Sequence, residues 1–301
     1  MLSNSNTFER SRSRQNENSG EVVELRSNTT GIPVSRIGKV HIVGAGPGDP
    51  ELITVKAVRL LQEADVIYYD RLIGSELLDY TRPDARKISV GKKASRPSVS
   101  QNDINNKLIS EAMKGYQVVR LKGGDPFIFG RGGEECLALS RVDVPFEVVP
   151  GISSVSAVPA YAGIPLTMRN QATGFTVISG HLHPDSQSYD WYALSATSTL
   201  VILMGLRNLC DILEKLLEHG KSTCEPIAII RWGTTREQQV VTGTIADIRQ
   251  NSTHITPPAT IIIGEVVKYH HELSWFTPEA EPGNGHEIRS TGISKNIAAS
   301  L

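Results

Sequence analysis

Val118-Val119-Arg120-Leu121-Lys122-Gly123-Gly124-Asp125-Pro126 reads as a short strand that ends abruptly in paired glycines. Valines favour a pleated strand, and glycines let the chain turn sharply and let another group approach the backbone. The same habit recurs on either side. Lys39–Val43 runs into Gly44-Ala45-Gly46-Pro47-Gly48-Asp49, and Phe146–Val149 runs into Pro150-Gly151. Val66–Tyr69 is a further predicted strand. Between these runs the apolar spacing changes to that of helices. Thr54–Glu63 is predicted helical with Val55, Val58 and Leu61 on its apolar face, and Asp103–Met113 with Ile104, Leu108 and Ala112.

The second half repeats the pattern. Thr176–Ser179, Leu200–Met204, Ile227–Ile230 and Thr260–Ile263 are predicted strands, and Asn208–Glu218 is a predicted helix. Alternation of this kind implies an α/β fold with parallel sheets and crossover helices. The expectation is two α/β domains with mainly parallel sheets, residues 37–163 and 164–274, joined near Gly163-Ile164-Pro165. Residues 1–36 are polar and aperiodic and are expected to be a disordered tail. Residues 275–301 are expected to be weakly structured. Ligands of such sheets sit beyond the strand C-terminal ends, where every glycine-rich segment above is placed.

Composition excludes several classes. The 301 residues carry 31 Lys plus Arg against 32 Asp plus Glu, a formal charge of −1 that gives no general attraction to nucleic acid. Cys136, Cys210 and Cys224 form no CxxC and imply neither a disulfide framework nor a cysteine zinc site. No apolar run is long enough to span a membrane, and MLSNSNTFERSRSRQNENSG has no apolar signal core. A reducing, cytoplasmic setting is expected.

Four segments carry the chemistry. In Gly44-Ala45-Gly46-Pro47-Gly48-Asp49 the dinucleotide pattern GxGxxG fails, because Asp49 stands where the third small residue should be. The plainer reading is a tight strand-to-helix turn with Asp49 or Thr54 starting the helix. In the loop 123–134, Asp125 can accept from an ammonium or a ribose hydroxyl, and Phe127 and Phe129 are poorly placed for a merely solvated connection. In Pro150-Gly151-Ile152-Ser153-Ser154, the hydroxyls either cap a helix or face a ligand. Tyr68-Tyr69-Asp70-Arg71 and Gly91-Lys92-Lys93 end strand-like runs. Their acid and lysine are either proton acceptor and donor or a surface ion pair.

The runs GAGPGDPELIT (44–54), YYDRLIG (68–74), VGKK (90–93), VVRLKGGDPFIFGRGGEE (118–135), VVPGISS (148–154) and YAGIPLT (161–167) occur in this order. Together they resemble the uroporphyrinogen-III C-methyltransferases, a branch of the tetrapyrrole methylases of sirohaem and cobalamin synthesis. The resemblance covers about residues 37–270. It implies two α/β domains with the cofactor cleft between them, a homodimer, and S-adenosylmethionine as methyl donor, leaving S-adenosylhomocysteine. Methyl groups would go to C2 and C7 of uroporphyrinogen III, giving precorrin-2 by way of precorrin-1.

Carried onto this chain, the resemblance places cofactor contacts at Pro47, Gly123, Gly124, Asp125, Ile128, Ser153, Ser154, Met204, Gly233 and Ala259. Proton acceptor and donor fall on Asp70 and Lys92. A substrate with eight carboxylates calls for local cations, and arginine forks suit carboxylates. Arg71, Lys93, Arg131 and Arg169 are the candidates, with Arg96 nearby. No metal, membrane or nucleic-acid partner is implied. Two departures stand out: Ser153 replaces the usual threonine, and Met168 stands where the family usually has histidine. About 36 weakly patterned residues precede the core where fused family members carry further domains, so neither NAD-dependent dehydrogenase nor ferrochelatase activity is expected.

Overall fold

The computed structural model describes residues 37–91, 100–181 and 189–278. The tail 1–36, most of the tail 275–301, and Lys92, Lys93 and Arg96 lie outside the described residues.

The first sheet contains β1 (Val40–Gly44), β2 (Val66–Tyr69), β3 (Arg86–Ser89), β4 (Val118–Lys122) and β5 (Phe146–Val149). Its order is β3-β2-β4-β1-β5, and every pairing is parallel. The crossovers include α1 (Val55–Glu63), α2 (Gln101–Met113) and α3 (Gly132–Ser140). Alternate β4 residues point to opposite layers, as strand geometry requires. Val119 and Leu121 pack with Ala57, Leu60 and Leu61 of α1, and Val118 packs with Ile104 and Leu108 of α2 and Leu139 of α3.

The face of α1 differs from expectation. Val55 is 88 % exposed, while Ala57, Leu60 and Leu61 are buried. Thr54 caps the helix by accepting from the Ala57 N–H, which fixes its start and turns Val55 outward on the first turn. The face predicted for α2 is the one observed, with Ile104, Leu108 and Ala112 buried.

After β5, the helix α4 (Ser154–Tyr161) leads toward the second sheet. That sheet is built from β6 (Thr176–Ser179), β7 (Leu200–Leu203), β8 (Pro226–Arg231), β9 (Gln239–Thr244) and β10 (Ala259–Ile263), in the order β6-β7-β10-β8-β9. Here the expectation of parallel pairing is corrected. Only β6 and β7 run parallel, whereas β10 pairs antiparallel with both β7 and β8, and β8 with β9. For β8 and β9 the cause is the short link between them, a hairpin that leaves no room for a crossover helix. One face of this sheet packs on α5 (Trp191–Ser195) and α6 (Leu209–Glu218) through Leu194, Ile212, Leu213 and Leu216.

The other face receives α4. Val155 packs with Val201 and Leu203, and Val158 with Ala228, Ile230 and Ile262. A helix that follows the first sheet in sequence therefore belongs to the core of the second. Beyond Gly163, the segment at Leu273 returns to this helix, and Trp275 and Phe276 ring-pack on Tyr161. The described start of the expected C-terminal tail is thus packed, because Trp275 also donates to the Ala160 carbonyl.

At the opposite edge of the first sheet, Glu147 on β5 is paired with Lys56 of α1 and with Lys39, 2.9 Å away. These two lysines hold its carboxyl down at about 2. A carboxylate depressed in the folded state adds stability that is complete above its unfolded pKa and is lost as pH falls through the folded one. Both lysines are partly exposed, so the contribution is about 1 kcal/mol or less. Glu147→Gln is expected to lower the melting temperature at pH 6 and to change it little near pH 2.5. Equal losses at the two pH values would refute the assignment.

Candidate active site

The strand register aligns the C-terminal ends of the first sheet: Gly44 lies beside Lys122, Val43 beside Val149, and Tyr69 beside Leu121. The loops leaving these ends meet backbone to backbone. A Cβ on Gly151 would lie 2.3 Å from the Gly124 carbonyl oxygen and 2.7 Å from the Gly44 Cα. Gly124, at φ +63°, exchanges hydrogen bonds with Gly46 in both directions. The Asp125 carboxylate ties the loops together, accepting from the Gly151 N–H at 3.0 Å and the Phe127 N–H at 2.8 Å. Its visible work is to shape the turn, with one lone pair on each oxygen left over. Gly123 faces open space where a side chain would stand, and Gly124 faces the Ser154 N–H at the start of α4.

The first of these loops also reaches the second half of the chain. A Cβ on Gly48 would lie 2.9 Å from Thr234 Oγ1 and 3.3 Å from the Gly233 carbonyl oxygen. The Asp49 N–H donates to Thr234 Oγ1 at 3.0 Å. Tyr161 on α4 donates to Asp49 Oδ2 at 2.6 Å, and its own carbonyl accepts from Gln238. Gln238 Oε1 accepts the Thr234 N–H at 2.8 Å, closing the ring of contacts. Burial and the neighbouring Asp49 carboxylate push the Tyr161 phenol up to about 12, so it stays a donor. Trp232 donates its N–H to the Pro258 carbonyl, beside Ala259, and Ala259 precedes Thr260, the partner of Leu203 on β7. Met204 follows directly, 54 % exposed and at φ +57°. Trp232 and Thr234 also hold positive φ. Non-glycine residues in this region cost energy and tend to gather where function demands a shape.

The β2 end carries a different chemistry. Asp70 Oδ1 accepts from Arg120 Nη2 at 2.5 Å. Arg120, only 3 % exposed as a side chain, also donates through Nε to Glu135 Oε1 at 3.0 Å and through Nη1 to the Leu121 carbonyl. Glu135 of α3 is fully buried, and the same oxygen accepts from Lys122 at 3.2 Å and from Gln101 of α2 at 3.1 Å. Burial, and then the adjacent Arg120 charge, push the Lys122 ammonium below its ordinary value. Asp70 is the outward carboxylate of the group, 35 % exposed.

The family profile of the Tetrapyrrole (Corrin/Porphyrin) Methylases matches residues 39–249. The chain belongs to the tetrapyrrole methylase family. Siroheme synthase 1 of Yersinia enterocolitica is 47 % identical over 240 residues, which is 79 % of this chain and 51 % of that protein. The chain thus spans about half the length of the curated relatives it matches. The native form of uroporphyrin III C-methyl transferase from Thermus thermophilus matches with a TM-score of 0.67 and 42 % identity, covering 77 % of this chain and 99 % of that one. A second structure of that enzyme, complexed with S-adenyl homocysteine, matches with the same TM-score at 41 % identity, covering 77 % and 94 %.

In this tetrapyrrole methylase the predicted residues fall into groups. Pro47, Gly123, Gly124, Asp125, Ser153 and Ser154 lie on loops that touch one another, and Gly233 joins them through Gly48. Ile128 and Met204 are exposed apolar side chains on the β4 and β7 loops, and Ala259 opens β10. Ser153 caps α4, accepting from the Val155 N–H, so the capping reading accounts for its hydroxyl. Gly233 has no room for a side chain, because Val158 lies against it. Both helix-start readings of the first loop hold: Asp49 caps the short turn Pro50–Leu52, and Thr54 caps α1.

The predicted cations are more dispersed. Arg71 is exposed and abuts Gly91 at the end of β3. Arg131 is locked to Glu134 by two hydrogen bonds of 2.8 and 2.7 Å, which offsets its charge. Arg169 is exposed on the turn between Met168 and Ala172, lining a shallow depression with Thr167 and Asn170. Sequence reasoning missed Arg120, Lys122 and Glu135 as a group, and Tyr161 and Gln238. A signal for the first existed: charged residues two apart on a central parallel strand point into a layer that is normally apolar, and must find a partner there.

Proposed function

We propose that this chain transfers methyl groups from S-adenosylmethionine to C2 and C7 of uroporphyrinogen III, forming precorrin-2 by way of precorrin-1. The observation that carries the reading is that glycine-lined strand ends of both sheets meet at the one loop from Gly44 to Asp49. The likeness to an enzyme solved with S-adenyl homocysteine supports it. The domains are proposed at 37–163 and 164–274 on the alternation of strands and helices, with α4 of the first packed on the sheet of the second; the homodimer is proposed on the family resemblance and the cytoplasm on the cysteine usage. Among the described residues no helix is long and apolar enough to cross a membrane.

The site suits the donor. Open space at Gly123 lets the donor approach the backbone, and exposed Ile128 and Met204 offer apolar cover for a purine. When bound, S-adenosylmethionine supplies an electrophilic methyl group on a sulfonium. The loops then need only align donor and acceptor carbon and exclude water. Asp70, turned outward at the end of β2, accepts the proton that the ring must lose after methylation. Lys92 is proposed as the proton donor, and Arg71, Lys93, Arg131 and Arg169 as cations for the substrate carboxylates.

The test is incubation of the full chain with labelled S-adenosylmethionine and uroporphyrinogen III, with NAD as the control. Label in the tetrapyrrole is expected, and nicotinamide reduction would overturn the reading. A second expectation concerns the loop junction. Gly151→Ala forces backbone apart on two sides, at a cost of about 1–3 kcal/mol for overpacking. The dissociation constant for S-adenosylhomocysteine, measured calorimetrically, should rise about ten- to a hundredfold. Unchanged affinity would separate the junction from the binding site.

A further inference from the structure

The Asp70 carboxylate is not left to find its own orientation. It stands at the mouth of a buried charge cluster that alternates sign from Asp70 to Arg120 to Glu135 to Lys122. Arg120 is held at three points: Nη2 on Asp70, Nε on Glu135 and Nη1 on the Leu121 carbonyl. Three contacts on a planar fork leave it no freedom to turn. Glu135 is itself anchored by donors from two other elements, Lys122 on β4 and Gln101 on α2, all on Oε1. Its Oε2 has no hydrogen-bond partner among the described residues. A fully buried carboxylate arranged in this way is weak as a stability device, but it fixes the arginine that faces the site.

We propose that Arg120 is a positioning residue for Asp70, with Glu135 as its anchor: the pair aims the carboxylate at the open strand end. The inference rests on the reading that Asp70 accepts the substrate proton. Among the described residues, the charged groups around Asp70 are Arg120 and Lys122 from β4, Glu135 from α3 and Arg71 next in the chain. Arg131 and Glu134 at the start of α3 interact electrostatically with Glu135 and Lys122 but neutralise each other. Arg120 is thus the cation in direct contact with Asp70 and the one whose removal changes its surroundings most.

The experiment follows the Asp70 carboxyl by NMR in the full chain labelled with carboxyl-13C aspartate, the signal being assigned by its loss in Asp70→Asn. In Arg120→Lys, which keeps the charge and loses the fork, turnover should fall about tenfold, with affinity for S-adenosylhomocysteine unchanged to about twofold. Arg120→Met, which loses both, should turn over more slowly still at the same affinity. In each variant the Asp70 carboxyl resonance should move from its position in the parent protein, because the fork that holds it is gone. Should Arg120→Met fail to fold, Arg120→Lys carries the test through the same split and the same resonance. An unmoved resonance, or affinity falling in step with turnover, overturns the proposal. If Asp70→Asn turns over fully while the resonance moves, the proton-acceptor reading fails and the positioning role stands. If Asp70→Asn is inactive and the resonance is unmoved, the positioning role fails alone.

Discussion

Asp70→Asn is expected to lower methyl transfer about 10²–10⁴-fold, the range for losing a positioned general base. The amide keeps the shape of the carboxylate and can still accept from Arg120, but it cannot take a proton. The fold should survive, because Arg120 retains Glu135 and the Leu121 carbonyl as partners. Affinity for S-adenosylhomocysteine should hold, since Asp70 leaves β2 while the glycine junction joins the ends of β1, β4 and β5. Single-turnover measurement with preformed complex, together with calorimetric binding of S-adenosylhomocysteine, separates the two effects. Full turnover by the variant would refute the role assigned to Asp70.

Glu135→Ala is expected to be strongly destabilising. Two cations, Arg120 and Lys122, share its Oε1, and both are buried. Removing one partner of a buried ion pair leaves charge without compensation and costs about 3–5 kcal/mol. For a chain of this size the melting temperature should drop by about 10 °C. Asp70 can offset part of the Arg120 charge, so the residual burden falls on Lys122, already disfavoured as an ammonium by burial. The double variant Glu135→Ala/Lys122→Met should recover part of the loss, because it removes the stranded ammonium. A drop of under about 1 kcal/mol in denaturant unfolding would place Glu135 among ordinary surface carboxylates.

Much of the first sheet was legible in the chain. Val66–Tyr69 and Phe146–Val149 are strands over the predicted residues, and the glycines that follow β1 and β4 stand at the strand ends where a ligand site was expected. Local chemistry was enough there, since a parallel strand buried on both faces is an apolar run bounded by turn residues. The second sheet was less legible. Gln239–Thr244 escaped notice because an edge strand with Gln239, Thr242, Gly243 and Thr244 lacks that apolar signature. The direction of β10 was also invisible, because the pattern Thr260–Ile263 is the same whichever way the strand runs. In α1, spacing alone could not choose between the face of Val55 and that of Leu60, which the Thr54 cap and the sheet beneath decided.

What the chain alone determined was its set of strand ends and the order of motifs that assign it to a family, because glycines, caps and apolar periods act over a few neighbouring residues. The tertiary structure decided the rest. It placed α4 on the second sheet, brought Asp49 against Thr234 from 185 positions away, and set Asp70 on Arg120 and Arg120 on Glu135. Buried charges and backbone contacts of this kind depend on which elements lie side by side. That choice comes from burying the apolar faces of the whole chain at once, and no local window contains it.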